Sequence, residues 1–199
     1  MRGPFTISGS LERRDSVLVG FSMVVPEEKE GMTSLVRTVR DWMRGMPKDA
    51  PLDYSQITGD LYIGAWPTKY NVDTIQSLGV TVLLSTILPS VDKELGQPPL
   101  QLVKIRMTDA IPIRPYYPTK TLMRGVDVAL SAFERGEKVM VFCQSGRHRS
   151  PTTSCCILIG QGLRAEDAIE LVESKRAKAD LYPGIRKRIK RFEQEWQQR

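Results

Sequence analysis

The residues best suited to chemistry in this sequence lie in one stretch, residues 143–150, which reads Cys-Gln-Ser-Gly-Arg-His-Arg-Ser. An apolar run typical of a buried strand, residues 139–142, leads into its cysteine, and Pro151 after it is typical of the first turn of a helix. Gly146 lies where the chain must curl tightly between these elements. Such a loop points backbone N–H groups inward at a helix N-terminus, which forms an anion cradle and stabilises a thiolate at Cys143.

A thiolate beneath an anion cradle is suited to attack the phosphorus of a phosphate monoester. Five residues separate Arg149 from the cysteine. Its planar guanidinium would bind two phosphoryl oxygens at once, which lysine cannot do. This binding is strongest in the transition state. The competing interpretation is a cysteine buried at the end of a strand. The spacing alone is weak evidence in an arginine-rich chain, but Gly146, Ser150 and the flanking elements make the pattern specific.

The stretch resembles the Cys-x5-Arg-Ser/Thr loop of the cysteine-dependent protein tyrosine phosphatase superfamily, and its dual-specificity branch matches best. Residues 57–67, Ile-Thr-Gly-Asp-Leu-Tyr-Ile-Gly-Ala-Trp-Pro, resemble that branch's opening strand, and residues 136–142 resemble its strand into the nucleophile. The resemblance covers roughly residues 53–197. It implies an α/β fold with a central, mostly parallel sheet flanked by helices, in which a phosphatase domain at 53–199 follows an N-terminal extension at 1–52.

The resemblance implies a role for each residue of the loop. Cys143 is the implied nucleophile, and Ser150 is implied to hydrogen-bond the sulfur and to help it leave. The implied phosphate-binding residues are Gln144, Ser145, Gly146, Arg147, His148 and Arg149. No metal ion or cofactor is implied, and a single histidine with scattered cysteines also argues against a structural zinc site.

The superfamily also needs a general acid that protonates the leaving oxygen, which an aspartate on a loop upstream of the cysteine supplies. Asp109 fits, because it follows a predicted strand, begins the proline-rich loop 109–118 and lies 34 positions before Cys143 (143 − 109). In the implied reaction Cys143 takes the phosphoryl group while Asp109 gives a proton, and Asp109 then takes a proton from the hydrolysing water. A plain loop carboxylate is the alternative for Asp109, and Asp127, within a predicted helix, is interpreted as a surface or capping charge.

One position departs from the superfamily's pattern, which usually has histidine immediately before the cysteine. This chain has Phe142 there. An aromatic hydrocarbon cannot make the polar contacts of that histidine, so thiolate activation at Cys143 would be weaker. The alternative is that Phe142 is packed into the core and does not tune the nucleophile.

Residue patterns predict alternating strands and helices around the loop. Strands are predicted at 60–64, 80–84, 102–107 and 138–142, and helices at 68–78, 119–135, 151–161, 165–178 and 184–197. This alternation is typical of a parallel sheet, whose ligands lie at the carboxyl ends of the strands, where Cys143 is placed. Within the extension, apolar residues recur at helical spacing over 35–46, which predicts an amphipathic helix that packs on the domain or binds a membrane surface or partner.

Composition indicates the cellular setting of the protein and the charge of its binding partners. The chain has 199 residues, no apolar run long enough to span a bilayer, and three cysteines, an odd number that does not suit a disulfide framework. A reducing, cytoplasmic setting without a transmembrane segment is therefore expected. The net charge of +6 favours an anionic partner, namely a phosphorylated protein or an anionic phospholipid as substrate. Peripheral contact with a membrane is compatible with the sequence, and no stable nucleic-acid partner is predicted. The sequence does not define the oligomeric state.

The sequence leaves several functions open. Phosphotyrosine, phosphoserine and phosphothreonine proteins are the first expectation, but Arg147 resembles the second cation in the loops of phosphoinositide and phosphatidylglycerophosphate phosphatases. Phe142 suggests a phosphate-binding pseudophosphatase instead. A sulfurtransferase resembling rhodanese would have its arginine at the position of His148, and a Cys/His protease would need a partner that orients His148, which the sequence does not reveal.

Two other groups have a structural and a functional interpretation. The basic run Lys187, Arg188, Lys190 and Arg191 could bind anionic lipid or RNA. The helical spacing of Ile185, Ile189, Phe192 and Trp196 favours instead the solvated face of a packed helix. Cys155 and Cys156 are interpreted as buried helix residues, and a disulfide that protects Cys143 from overoxidation is the alternative.

Overall fold

The structure is a computed structural model that describes residues 47, 49–88, 91–108 and 117–199. The predicted amphipathic helix at 35–46 and Asp109 lie outside the described residues. The described end of the extension contacts the domain: Ala50 is buried, Ala50 O accepts a hydrogen bond from Asn71 Nδ2 at 3.0 Å, and Leu52 packs against a core cluster. The boundary at 52/53 stays a prediction.

A central sheet organises the described part of the chain. Its strands are β1 (Tyr54–Gln56), β2 (Leu61–Gly64), β3 (Val80–Ser85), β4 (Gln101–Lys104) and β5 (Lys138–Phe142), in the order β1-β2-β5-β3-β4. Strand β1 pairs with β2 antiparallel, and the other neighbours are parallel. Every residue of β2 is buried, as expected for an apolar strand covered on both faces. The predicted α/β fold class is confirmed.

Helices cover both faces of this sheet. They are α1 (Val72–Ser77), α2 (Thr119–Glu134), α3 (Arg149–Gly160), α4 (Ala165–Lys175) and α5 (Pro183–Gln197), with short 3-10 turns at Lys69–Asn71 and Lys93–Gly96. The helices predicted within the described residues are confirmed to within a few residues, except that the prediction of 165–178 runs three residues too far. Helix α4 ends at Lys175, and Arg176 has extended backbone at φ −122°, ψ 91°. This early end matters for the site described below.

The sheet separates two hydrophobic cores. Helices α2 to α5 pack on one face, around a core that includes Leu61, Val126 and Phe192. Helix α1 packs on the other face, around a core that includes Tyr62, Leu83 and Phe142. Helix α3 is buried from Arg149 to Ile159. Its last residue, Gly160, lies so close to α2 that a β carbon there would come 2.5 Å from Val126 Cγ1. The site-bearing helix is therefore held firmly against its neighbour.

Within the described ranges, no helix is long and apolar enough to cross a membrane.

Candidate active site

The start of the loop after β5 is fixed by the strands on either side. Cys143 N donates to Gly64 O, the last residue of β2, at 3.3 Å. Thr86, just past the end of β3, donates from its backbone N and its Oγ1 to Phe142 O, at 3.0 and 2.9 Å. Because neighbouring parallel strands end at the same edge of the sheet, their terminal residues set the position of the cysteine.

The sulfur of Cys143 is buried and accepts hydrogen bonds from its own loop. The residue is only 2% exposed. Gly146 N and Ser150 Oγ each lie 3.2 Å from Sγ, and the serine hydroxyl also lies 3.4 Å from Gly64 O. Gly146 has φ +67°, in the left-handed region that glycine favours, and this turn brings its N–H back toward the sulfur. The predicted tight curl at Gly146 is confirmed, and the donors converge on the sulfur as an anionic nucleophile requires.

Arg149 brings a guanidinium to the beginning of α3. It is the first residue of that helix, is 8% exposed, and its Nη1 donates to Met107 O at 3.4 Å. The positive end of the helix dipole lies at the same place, so both fields favour a bound anion. Met107 precedes Asp109 by two residues in the sequence. Asp109 itself lies outside the described residues, and its role stays a prediction.

Arg147 and His148, expected to face an incoming phosphate, lie beside Asp180 in the segment after α4. Arg147 Nη2 and His148 Nε2 are 3.4 and 3.3 Å from Asp180 Oδ2, and Asp180 N donates to Arg147 O at 2.9 Å. The His148 ring also packs edge-on against Tyr182. The sequence revealed no partner for His148, and Asp180 is one. Whether these two side chains bind phosphate stays a prediction.

The outer side of the loop contacts Arg176, which sequence reasoning missed. Its Nε donates to Gly146 O at 2.8 Å and its Nη2 to Ser145 O at 3.4 Å, while Trp66 N donates to Gln144 O at 3.2 Å. The first three loop residues after the cysteine thus have their carbonyls bound from outside.

Asp53 forms an ion pair with Arg176, and sequence reasoning missed this residue as well. Asp53 Oδ1 lies 3.1 Å from Arg176 Nη1, and Lys178 Nζ lies 2.9 Å from Asp53 Oδ2. The sequence predicted that Arg176 lies within a helix at 165–178, and Asp53 lay at the expected domain boundary. No pattern in the sequence links this arginine to this aspartate, which lie 123 residues apart.

Several solved structures with the same architecture are described as phosphatases. A mouse protein described as a dual specificity phosphatase, complexed with zinc tungstate, superposes with a TM-score of 0.65 at 20% identity, over 77% of this chain and 94% of that one. PTPMT1 in complex with PI(5)P gives 0.64 at 23% identity, over 73% and 97%. A human tyrosine phosphatase-like serine/threonine/tyrosine-interacting protein gives 0.61 at 16% identity, over 74% and 98%.

This chain has the dual-specificity phosphatase fold. The family resemblance found in residues 57–67, 136–142 and 143–150 is thereby confirmed for the fold. No protein-family model and no curated protein matches the sequence. The assignment of site residues within this dual-specificity phosphatase fold therefore depends on their own geometry.

Phe142 belongs to the core of the dual-specificity phosphatase fold. Its side chain is fully buried in the cluster that includes Trp66, Leu83 and Met140. Its backbone carbonyl accepts the hydrogen bonds from Thr86 described above. The structure thus gives Phe142 a packing role, which agrees with the second of the two interpretations drawn from the sequence.

The other two cysteines lie within helix α3 and not in the loop. Cys155 and Cys156 are fully buried on α3, and all three cysteines are free thiols. Burial in apolar surroundings raises the pKa of both helix thiols well above the usual value. Their interpretation as buried helix residues is confirmed.

Several charged residues on α2 and α5 are paired. Asp127 is a surface charge, as expected, and pairs with Arg199. On α5, Ile185, Ile189 and Phe192 are fully buried, which confirms the predicted packed face. Within the basic run, Lys190 and Arg191 are exposed and pair with Glu166 and Glu195, but Arg188 is largely buried and its Nε donates to Tyr117 O at 2.9 Å.

We predict that Phe142→His destabilises the fold and leaves thiol reactivity unchanged. A buried imidazole adds polar nitrogens to an apolar cluster, at a cost of about 1–3 kcal/mol. Chemical unfolding would measure that cost, and the pH dependence of iodoacetamide inactivation would measure reactivity. Phe142→Leu, which removes the ring without adding polar atoms, is the matched control. If the midpoint pH of inactivation falls in the histidine variant alone, this position does tune the nucleophile.

Proposed function

We propose that this chain is a phosphatase that hydrolyses phosphate monoesters through a phosphocysteine intermediate. The observation that carries the proposal is the buried sulfur of Cys143, with Gly146 N and Ser150 Oγ each 3.2 Å away, at the beginning of a helix that starts with Arg149. A nucleophile, anion-binding N–H groups and a bidentate cation are thus combined in eight residues.

In the first step, the Cys143 thiolate attacks phosphorus. A sulfur–phosphorus bond forms, and the bond from phosphorus to the leaving oxygen breaks. The Arg149 guanidinium would hold two of the phosphoryl oxygens as they spread toward the trigonal transition state. Asp109 is proposed to protonate the leaving oxygen, and its support is the sequence position two residues after Met107, whose carbonyl Arg149 contacts.

In the second step, water attacks the phosphocysteine and releases inorganic phosphate. Asp109, now ionised, takes the proton from this water, and the sulfur–phosphorus bond breaks. The electron pair returns to sulfur, where the Ser150 hydroxyl can donate to the thiolate as it forms. The reaction as written needs only water and the residues of this chain.

The first candidates for substrate are proteins phosphorylated on tyrosine, serine or threonine. The mouse protein of the same fold that is described as a dual specificity phosphatase supports this class. Phosphoinositides are the second candidate, and here PTPMT1, crystallised with PI(5)P, and the net charge of +6 give support. Release of phosphate from phosphopeptides, phosphoinositides and phosphatidylglycerophosphate, compared at equal concentration, tests which class is preferred.

We predict that Cys143→Ser abolishes turnover of an aryl phosphate and its initial burst, while binding of inorganic phosphate survives. The hydroxyl is a poor nucleophile, but the loop N–H groups and Arg149 remain. Stopped-flow kinetics and calorimetry provide the measurements, with Cys156→Ala, a buried thiol on α3, as the matched control. Wild-type protein that binds phosphate without any burst would identify a pseudophosphatase instead.

We predict that Arg149→Lys loses nearly as much activity as Arg149→Ala. A point charge cannot replace a planar fork, and each lost charge-assisted hydrogen bond costs about 1.5–3 kcal/mol, or roughly tenfold to a hundredfold in kcat/KM. Arg135→Lys, an exposed arginine at the end of α2, is the control. Near-complete rescue by lysine would show that Arg149 contributes only a local charge.

We predict that Asp109→Asn slows hydrolysis of alkyl phosphates by about 10²–10⁴-fold and affects aryl phosphates with good leaving groups much less. The reason is that only a poor leaving group needs the proton. Steady-state kinetics on the two substrate types gives the comparison, and Asp127→Asn, the surface carboxylate, is the control. Equal losses on both substrate types would exclude Asp109 as the general acid.

A further inference from the structure

Arg176 is a buried cation that the reaction described above does not use. Its side chain is only 2% exposed, although it follows the last residue of α4 in a charge-rich segment. Each of its three side-chain nitrogens has a partner: Nε donates to Gly146 O at 2.8 Å, Nη2 to Ser145 O at 3.4 Å, and Nη1 contacts Asp53. The guanidinium therefore binds consecutive carbonyls of the nucleophile loop from behind.

One peptide unit connects this guanidinium to the sulfur. Ser145 C=O and Gly146 N–H belong to the same planar trans peptide, so they point in opposite directions. Arg176 Nη2 lies on the carbonyl side at 3.4 Å, and Cys143 Sγ lies on the N–H side at 3.2 Å. Binding the carbonyl from outside therefore directs the N–H inward.

The shape of the loop is fitted to the guanidinium. A β carbon built on Gly146 would overlap the Arg176 side chain at Nη2 and Cζ. Gly146 also has φ +67°, which side chains with a β carbon rarely adopt. Glycine is thus required here both by the turn and by the close approach of Arg176.

Asp53 holds the guanidinium in place. Its Oδ1 accepts from Arg176 Nη1 at 3.1 Å, and Ser55 Oγ lies 3.4 Å from the same nitrogen. Burial opposes ionisation of Asp53, but hydrogen bonds from Lys178 and Arg176 outweigh it and hold the pKa of this carboxyl below its usual value of 3.8. The charged pair therefore stabilises the fold above about pH 4, and this contribution is lost as the pH falls through the lowered pKa.

We infer that Arg176 is a positioning residue for the nucleophile loop, and that Asp53 is the counter-ion that orients it. The inference rests on the proposed function, because it concerns the same loop. Without the guanidinium, the peptide between Ser145 and Gly146 loses the contact that fixes its orientation. The sulfur and a bound phosphate then lose an inward N–H donor for part of the time.

The test uses the full chain with Arg176→Lys, Arg176→Met and Asp53→Asn. Lys178→Met is the matched control, because Lys178 contacts the same carboxylate at 2.9 Å but is exposed and contacts Asp53 rather than the loop carbonyls. The readouts are the midpoint pH of iodoacetamide inactivation, protection from inactivation by inorganic phosphate, kcat and KM with an aryl phosphate, and thermal melting.

We expect Arg176→Lys and Asp53→Asn to raise the midpoint pH and to weaken phosphate protection by about tenfold, as the loss of a hydrogen bond to a charged group would. The control should stay near wild type in both. A purely structural role would lower the melting temperature alone. If folded Arg176→Lys and Asp53→Asn proteins keep the wild-type midpoint and phosphate protection, the inference is wrong, whatever their melting temperatures.

Failure of the proposed function would look different. Wild-type protein without turnover on any phosphate ester would overturn the phosphatase proposal, yet alkylation and phosphate protection would still report on the loop. Arg176→Met leaves the Asp53 carboxylate without its buried partner, and this variant is the one most at risk of not folding. Asp53→Asn and Arg176→Lys keep most of the side-chain volume. If Arg176→Met does not fold, these two variants test the inference.

Discussion

A loop that turns its N–H groups toward an anion must turn the carbonyls of the same peptides away from it. Those carbonyls still need donors when they are buried. In this chain Trp66 N binds the carbonyl of Gln144, and the Arg176 guanidinium binds the carbonyls of Ser145 and Gly146. The shape of the loop therefore depends on partners outside it, and these come from distant parts of the sequence.

The parallel sheet brings those partners together. Strands β2, β5 and β3 end at the same edge, so Gly64 and Thr86 flank the start of the loop on its two sides. Helix α3 then begins at Arg149, whose carbonyl accepts a hydrogen bond from Thr153 Oγ1 at 2.9 Å. Because α3 is buried on every side, the loop is fixed at both of its ends, and only its middle needs the additional support of Arg176.

The local parts of this arrangement could be predicted from the sequence, and the long-range parts could not. The strand before Cys143, the curl at Gly146 and the helix after it are encoded by neighbouring residues, so periodicity and turn chemistry predicted them well. Strand β1 was missed because its three residues, two of them exposed and one partly buried, carry no clear pattern. Arg176 was missed because its helix ends early and its partner Asp53 lies 123 residues away, a contact that only the folded chain defines.

Charge near the loop is divided between two kinds of arginine. Arg176 is buried and hydrogen-bonded on every nitrogen, and removing one partner of a buried charge costs far more than an exposed pair contributes. Arg147 is 55% exposed and lies 3.4 Å from Asp180, an arrangement of the kind typically worth less than about 1 kcal/mol. A second anionic group on a substrate can therefore compete with Asp180 for Arg147, but it cannot displace Asp53 from Arg176. The net charge of +6 does not distinguish these cases, because burial decides which cation shapes the loop and which remains exchangeable.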